Sequence, residues 1–214
     1  MSIENLRKQY TKSGLDKAAL RDSPFEQFRA WFDEVQQLNT NEDFESNAMA
    51  LATANAQGEV SNRIVLLKHF DENGFRFFTN YESRKGKDLE DNPHAALLFY
   101  WQNLERQIRI EGSVTKTDVA TSQKYFDSRP RKSRISAIIS PQSKVVENRS
   151  TLEQARDDEL DKVGDGPIAL PEYWGGYCLK PTLFEFWQGR ENRLHDRLQY
   201  ALKDDHWEIS RLGP

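Results

Sequence analysis

Cysteine is nearly absent. Cys178 is the only one in 214 residues, so an intrachain disulfide and a cysteine-rich metal site are both excluded. The four histidines, His69, His94, His195 and His206, show no ligand spacing. No H-E-x-x-H occurs, and no metal is expected. There is no G-x-G-x-x-G and no Walker A sequence, which removes the standard nucleotide loops, and no G-x-S-x-G to mark a nucleophile elbow. No apolar run approaches the roughly 20 residues of a membrane helix. Residues 1–20 carry charge where a secretory signal would be apolar. An excess of positive charge is missing too. Lys and Arg number 30 against 34 Asp and Glu, a net charge of −4, which argues against nucleic acid binding by counterion release. Together these absences predict a soluble, cytoplasmic protein with neither membrane nor nucleic-acid partners. Basic residues that bind a ligand must then be locally concentrated.

What is present suits one packed domain. Hydrophobic residues are only 37%, but twelve Phe, seven Tyr and five Trp supply apolar area for a core. Residues 1–23 are polar and read as a mobile arm or plain terminal disorder; residues 24–214 form the domain. Ser23-Pro24 opens a helix with Phe25, Phe28, Phe32, Val35 and Leu38 at helical spacing. Strands follow at 47–55, 60–70 and 75–80, with Asn73-Gly74 as a hairpin signal, and read as an antiparallel meander. Ser83 caps a short helix. Segments 95–101 and 106–115 are strands, the first apolar enough to be central. A helix spans 118–129, a basic break and a short apolar segment 135–139 follow, and a charged helix covers 151–163. Strands 177–179, 183–187 and 207–212 end the chain. Strands dominate, with helices inserted, so the expected fold class is mainly β with flanking helices, an antiparallel barrel.

Four groups of residues could carry chemistry. After the Gly189–Asn192 turn, Arg193, His195 and Arg197 alternate with Leu194 and Asp196, and on a strand the three would share one face. They would meet an anion or an electron-rich ring, or else protect an edge. Arg63 and Lys68 lie five apart, on opposite faces of a regular strand, unless a bulge intervenes. Arg84 and Lys85 sit at a helix start, where the macrodipole is already positive. They make sense around an anion, or on a solvated face. Tyr125, Arg129 and Ser133 are spaced four and four, with Pro130 between, and could converge on a phosphate or form a basic surface loop. Two phosphate sites without a metal suit a phosphorylated cofactor beside a phosphorylated substrate.

These residues stand in ordered pieces: Arg63-Ile64-Val65-Leu66-Leu67-Lys68, Phe78-Thr79-Asn80 with Ser83-Arg84-Lys85, and Leu104-Glu105-Arg106-Gln107. Further on come Tyr125-Phe126-x-Ser128-Arg129-Pro130, Trp174-Gly175-Gly176, and Phe186-Trp187-Gln188-Gly189 followed by Arg193-Leu194-His195-Asp196-Arg197. From about residue 6 to the end the chain resembles the pyridoxine (pyridoxamine) 5′-phosphate oxidase family. The resemblance implies a split β-barrel that binds FMN and works as a homodimer with FMN at the subunit interface. It implies FMN contacts from Arg63, Ile64, Val65, Leu66, Leu67, Lys68, Phe78, Thr79, Arg84, Lys85, Gln107, Gln142, Ser143, Trp187 and Arg197. It implies substrate contacts from Lys68, Tyr125, Arg129, Ser133, Arg193 and His195, with Arg193 and His195 in the catalytic role. Arg7 and Tyr10 match an arm that covers the site. Phe78 stands where Tyr is common. The implied reaction moves a hydride from the substrate C4′ to FMN N5, giving pyridoxal 5′-phosphate, and O2 reoxidises the flavin with release of H2O2. The rival readings are another split-barrel flavoprotein, such as an FMN reductase using a nicotinamide, and a non-catalytic FMN or pyridoxal-phosphate carrier.

Overall fold

A computed structural model describes residues 2–5, 9–12, 14–38 and 44–214. The first helix is α1 (Pro24–Leu38), and the Ser23 carbonyl accepts the Gln27 N–H at 3.0 Å. Phe28, Trp31 and Val35 form its buried stripe, whereas Leu38, expected among them, is 63% exposed at the helix end. Then come β1 (Ala48–Ala54), β2 (Val60–Leu66), β3 (His69–Asp71), β4 (Gly74–Asn80), α2 (Arg84–Asp91), β5 (His94–Trp101) and β6 (Arg106–Lys116). Helices α3 (Val119–Ser128), α4 (Arg131–Ile139) and α5 (Arg149–Val163) precede β7 (Trp174–Gln188), β8 (Asp196–Lys203) and β9 (His206–Leu212).

The nine strands pair antiparallel in one sheet of order β2-β1-β5-β6-β7-β4-β3, with β8 on β7 and β9 on β8. The sheet branches at β7. Its first half holds β4 and its second half β8, while β6 lines the opposite edge throughout. This is the expected class: mainly β, an antiparallel split barrel flanked by helices.

Three expectations need correction. The strand 60–70 is broken, and the three-strand meander is wrong. At the break the Leu67 N–H turns to the Asn47 carbonyl (2.9 Å) and the Lys68 N–H to the Arg76 carbonyl (2.9 Å). Consecutive residues therefore join different partners, so β2 pairs with β1 and β3 with β4. Segments 177–179 and 183–187 are one strand, not two. Pro181 is carried across a bulge where β6 shifts register between Glu111 and Gly112. A proline is tolerated at such a point because it has no N–H to leave unpaired. Gly112 makes the crossing possible, since a Cβ there would lie 2.0 Å from the Lys180 carbonyl oxygen. Residues 135–139 belong to α4, which starts earlier, at Arg131.

The core is aromatic. Phe28 is fully buried, with its ring 4.8 to 5.1 Å from those of Phe70, Phe75 and Phe99. A smaller cluster of Phe126, Ile135, Ile168 and Trp174 seats α3 and α4. The described part of the arm lies on the domain. Glu105 Oε2 accepts the N–H groups of Thr11 (2.9 Å) and Lys12 (3.2 Å), and Asp196 Oδ2 accepts that of Leu15 (3.0 Å). Arg7 lies outside the described residues. No helix among the described residues is long and apolar enough to cross a membrane. Nor do those residues hold a group of three His, Cys, Asp or Glu placed for a metal.

Candidate functional site

The broken strand opens one wall of a cleft of about 280 Å³. Ile64, Val65, Leu66 and Lys68 line it where β2 ends. Phe78 and Thr79 come from β4, Lys85 from α2, Tyr125 and Arg129 from the end of α3, and Gln142 and Trp174 from the segments that follow. In a regular strand Lys68 would share a face with Ile64 and Leu66 but not with Val65; with the strand ended at Leu66 all four line one cleft.

At one end the Lys85 ammonium is buried. Its Nζ donates to Gln142 Oε1 (3.0 Å), Thr79 Oγ1 (3.2 Å) and Ser83 Oγ (3.5 Å), all neutral oxygens. Burial, helped by the nearby Arg63 charge, brings its pKa down to about 8. Ser83 caps α2 by accepting the Gly86 N–H at 3.3 Å. Gln142 Oε1 also accepts the Thr79 hydroxyl at 3.0 Å, so its orientation is fixed and its NH2 remains to donate.

The other end is aromatic. Phe78 stacks on Tyr125 at 4.0 Å and on Trp174 at 5.8 Å. Cations lie over the outer rings, Lys68 Nζ 5.9 Å from the Tyr125 centroid and Arg129 Cζ 4.8 Å from that of Trp174. Arg129 Nη1 is buried without a hydrogen-bond partner, and burial lowers the pKa of this guanidinium. Ring faces position both cations without neutralising them. Among the described residues neither has an ion pair. A cleft with an ammonium held by neutral oxygens and a buried guanidinium lacking an acceptor is suited to anions such as phosphate.

Several expected residues lie elsewhere. Arg84 and Ser143 line a neighbouring hollow that shares Gln142. The Arg63 guanidinium is held by β1 and Ser61. The Leu67 side chain is in the core, and Asn47 takes both its backbone N–H and its carbonyl. Ser133 does not share a helix face with Tyr125 and Arg129. Helix α3 stops at Ser128, Arg129 is extended, and Ser133 sits in the first turn of α4.

A second group lies far along the sheet. Gln107, Trp187 and Arg197 stand side by side on β6, β7 and β8. The Trp187 ring is 4.8 Å from that of His195, and Tyr10 meets both edge-on at 5.6 and 5.5 Å. The expected strand row of Arg193, His195 and Arg197 does not form. Asn192 and Arg193 have positive φ, and β8 begins only at Asp196. Arg193 is therefore at an exposed turn, without a hydrogen bond or ion pair among the described residues. His195 Nδ1 accepts the Arg190 N–H at 3.1 Å. A backbone N–H can only donate, so the neutral ring carries its proton on Nε2. Arg197 is paired with buried Glu185 at 2.9 Å and 3.1 Å, which raises its pKa.

Sequence reasoning missed Trp174 as a wall of the cleft, Glu185 as the anchor of Arg197, and Asp88 behind Arg63. Trp174 had a signal, since the paired glycines after it mark a close approach. Glu185 and Asp88 had none, because a buried carboxylate looks in sequence like a solvated one.

Comparison with known proteins identifies the family of the chain. Residues 32–158 match the family described as pyridoxamine 5′-phosphate oxidase, and residues 174–214 match the pyridoxine 5′-phosphate oxidase C-terminal dimerisation region. The chain is 54% identical over 217 residues to a pyridoxine/pyridoxamine 5′-phosphate oxidase of Crocosphaera subtropica, covering 100% of each. It is 50% identical to the chloroplastic pyridoxine/pyridoxamine 5′-phosphate oxidase 1 of Arabidopsis thaliana, covering 100% of this chain and 41% of that one. The solved structure of PhzG from Burkholderia lata, with tetrahydrophenazine-1-carboxylic acid, superposes with a TM-score of 0.87 at 27% identity, covering 95% and 99%.

Proposed function

The chain belongs to the pyridoxamine 5′-phosphate oxidase family, and from this we infer that it is an FMN-dependent oxidase. It converts pyridoxine 5′-phosphate and pyridoxamine 5′-phosphate to pyridoxal 5′-phosphate, with O2 as acceptor and H2O2 released. The observation that carries this reading onto the chain's own residues is the cleft in which Lys68, Lys85 and Arg129 stand without carboxylate partners among the described residues.

The residues fit FMN. Lys85 offers a buried ammonium to a flavin phosphate, with Arg63 and Arg84 close enough to act on one another's charge. Thr79, Gln142, Ile64, Val65, Leu66 and Lys68 line the cleft and Ser143 the hollow beside it, and Gln107, Trp187 and Arg197 would provide the second set of contacts. Bound FMN supplies the two-electron acceptor and the reactivity toward O2. The chain's own residues orient the substrate. Arg129, Lys68 and Tyr125, which line one cleft, would hold its phosphate; Ser133, on the first turn of α4 and outside the cleft lining, would have to approach to join them, and Arg193 and His195 would hold the pyridine ring. His195 acts through Nε2–H, as a donor.

The matched dimerisation region supports a homodimer. We further propose that FMN sits between the subunits. Phe78 pairs with Gly176, and Gln107 with Trp187. Gly176 and Trp187 lie eleven residues apart on β7, roughly 35 Å of strand contour at about 3.3 Å per residue. That contour is longer than a single FMN, which favours a site assembled from two copies.

The test is the visible spectrum of the purified protein under nitrogen. Pyridoxine 5′-phosphate should bleach a flavin band, and air should restore it. A flavin that resists this substrate but bleaches with a reduced nicotinamide would favour a flavin reductase. A chain that binds FMN without any turnover would be a carrier.

A further inference from the structure

Between the buried carboxylate of Asp88 and the guanidinium of Arg63 stand two hydroxyls. Asp88 lies on α2, one turn beyond Arg84 and Lys85, and is 5% exposed. Its Oδ2 accepts the Thr53 hydroxyl at 2.6 Å and the Ser61 hydroxyl at 2.8 Å. A hydroxyl has one proton and two lone pairs, and a carboxylate can only accept. Both protons are therefore spent on Asp88, and lone pairs are what remain for Arg63. Its Nη1 donates to Thr53 Oγ1 at 2.8 Å and to the Leu51 carbonyl at 3.0 Å, and its Nη2 donates to Ser61 Oγ. The two hydroxyl oxygens are 3.3 Å apart, and neither has a proton left for the other. Asp88 itself is 3.8 Å from Nη2, so it acts on the guanidinium chiefly through the hydroxyls. The Nε–H and the second Nη2–H of Arg63 have no acceptor among the described residues.

We infer that Asp88 is a positioning residue that sets the direction of the Thr53 and Ser61 hydrogen bonds, locking Arg63 with two donors free for the flavin phosphate. The inference rests on the FMN reading above. A bidentate Asp–Arg pair would hold the arginine equally well but would occupy those donors. Routing the contact through neutral hydroxyls keeps them. The same helix carries Lys85, so Asp88 also fixes the spacing between the two cations.

The test compares FMN with riboflavin, which lacks the phosphate, by flavin fluorescence on the full chain freed of cofactor. Both hydroxyls bond one Asp88 oxygen, which the amide oxygen of an Asn could replace, so the variant is Asp88→Leu, of similar size and without an acceptor, in which both hydroxyl protons are free to turn toward Arg63. FMN affinity should fall roughly 10- to 100-fold, the range for a lost charge-assisted hydrogen bond, and riboflavin affinity should not change. Ser61→Ala, at a less buried position, should show the same selectivity with a smaller loss. An equal loss for both flavins, or no loss, would overturn the proposal. The Arg63 guanidinium N–H resonances, assigned by their disappearance in Arg63→Lys, give a readout without flavin. They should be resolved in the parent chain and averaged by rotation in Asp88→Leu. Resonances unchanged by the substitution would also overturn it. A parent chain that takes up no FMN would count against the flavin reading, and the guanidinium resonances would still decide the role of Asp88.

Discussion

At the residue scale the cations at and behind the cleft follow one rule, from which Arg197, paired with Glu185 on the far group, departs: each is held at hydrogen-bond or ring-contact distance by groups that do not cancel its charge. Lys85 has neutral oxygens, Lys68 and Arg129 have ring faces, and Arg63 has hydroxyls. The cost is visible at Lys85, whose pKa falls to about 8. A bound phosphate favours the charged form, so FMN binding above pH 8 must take up a proton. Affinity should fall as pH rises past 8, by at most about tenfold per pH unit. Titration calorimetry at pH 9 in two buffers of different ionisation heat should detect this uptake, and Lys85→Met should abolish it while weakening binding. His195 gives a second prediction. With Nδ1 committed to the Arg190 N–H, the ring presents a donor, and Gln at 195 can place an amide N–H near the position of Nε2. Steady-state rates for His195→Gln should stay within about tenfold of the parent. A loss of about 10²–10⁴, typical of removing a general base, would mean that His195 takes the proton instead.

At the scale of elements, β7 matters most, because its two halves carry the two groups of site residues. Its continuity depends on Gly112 opposite Pro181. Gly112→Ala puts a Cβ 2.0 Å from the Lys180 carbonyl oxygen, and the backbone must shift. Overpacking of this kind costs about 1–3 kcal/mol, so the thermal midpoint should drop by roughly 2–12 °C. An unchanged melting curve would show that the bulge has slack. Helix α1, the N-cap at Ser83 and strand β5 were legible in the sequence, since periodicity, capping chemistry and an unbroken apolar run are local signals. The break after Leu66 was not, because Leu67 and Lys68 look like more strand; only their partners, Asn47 and Arg76, reveal the change of direction. Pro181 misled in the other direction, reading as a gap where a bulge carries the strand across. The residue types of the cleft were legible as candidates for holding an anion. Their convergence was not, and neither was the turn that takes Arg193 and His195 out of β8, since positive φ at Asn192 and Arg193 has no glycine to announce it.

At the scale of the molecule, the proposal that FMN sits between subunits requires the two groups of site residues, far apart along β7, to meet across the interface. That arrangement is testable by mixing. Arg129→Ala disables the cleft, and Arg193→Ala disables the group beside Trp187. Each homodimer should be nearly inactive. In a mixed dimer with sites shared across the interface, one site joins the two damaged groups and the other joins the two intact ones. Random reassortment of equal amounts makes half the dimers mixed, each with one working site of two, so the mixture should recover about one quarter of the parent activity. If each site were built within one chain, every chain would still carry a defect, and mixing would recover nothing. Reassortment can be followed separately with a size tag on one variant, so that inactivity of proven mixed dimers would reject the shared site.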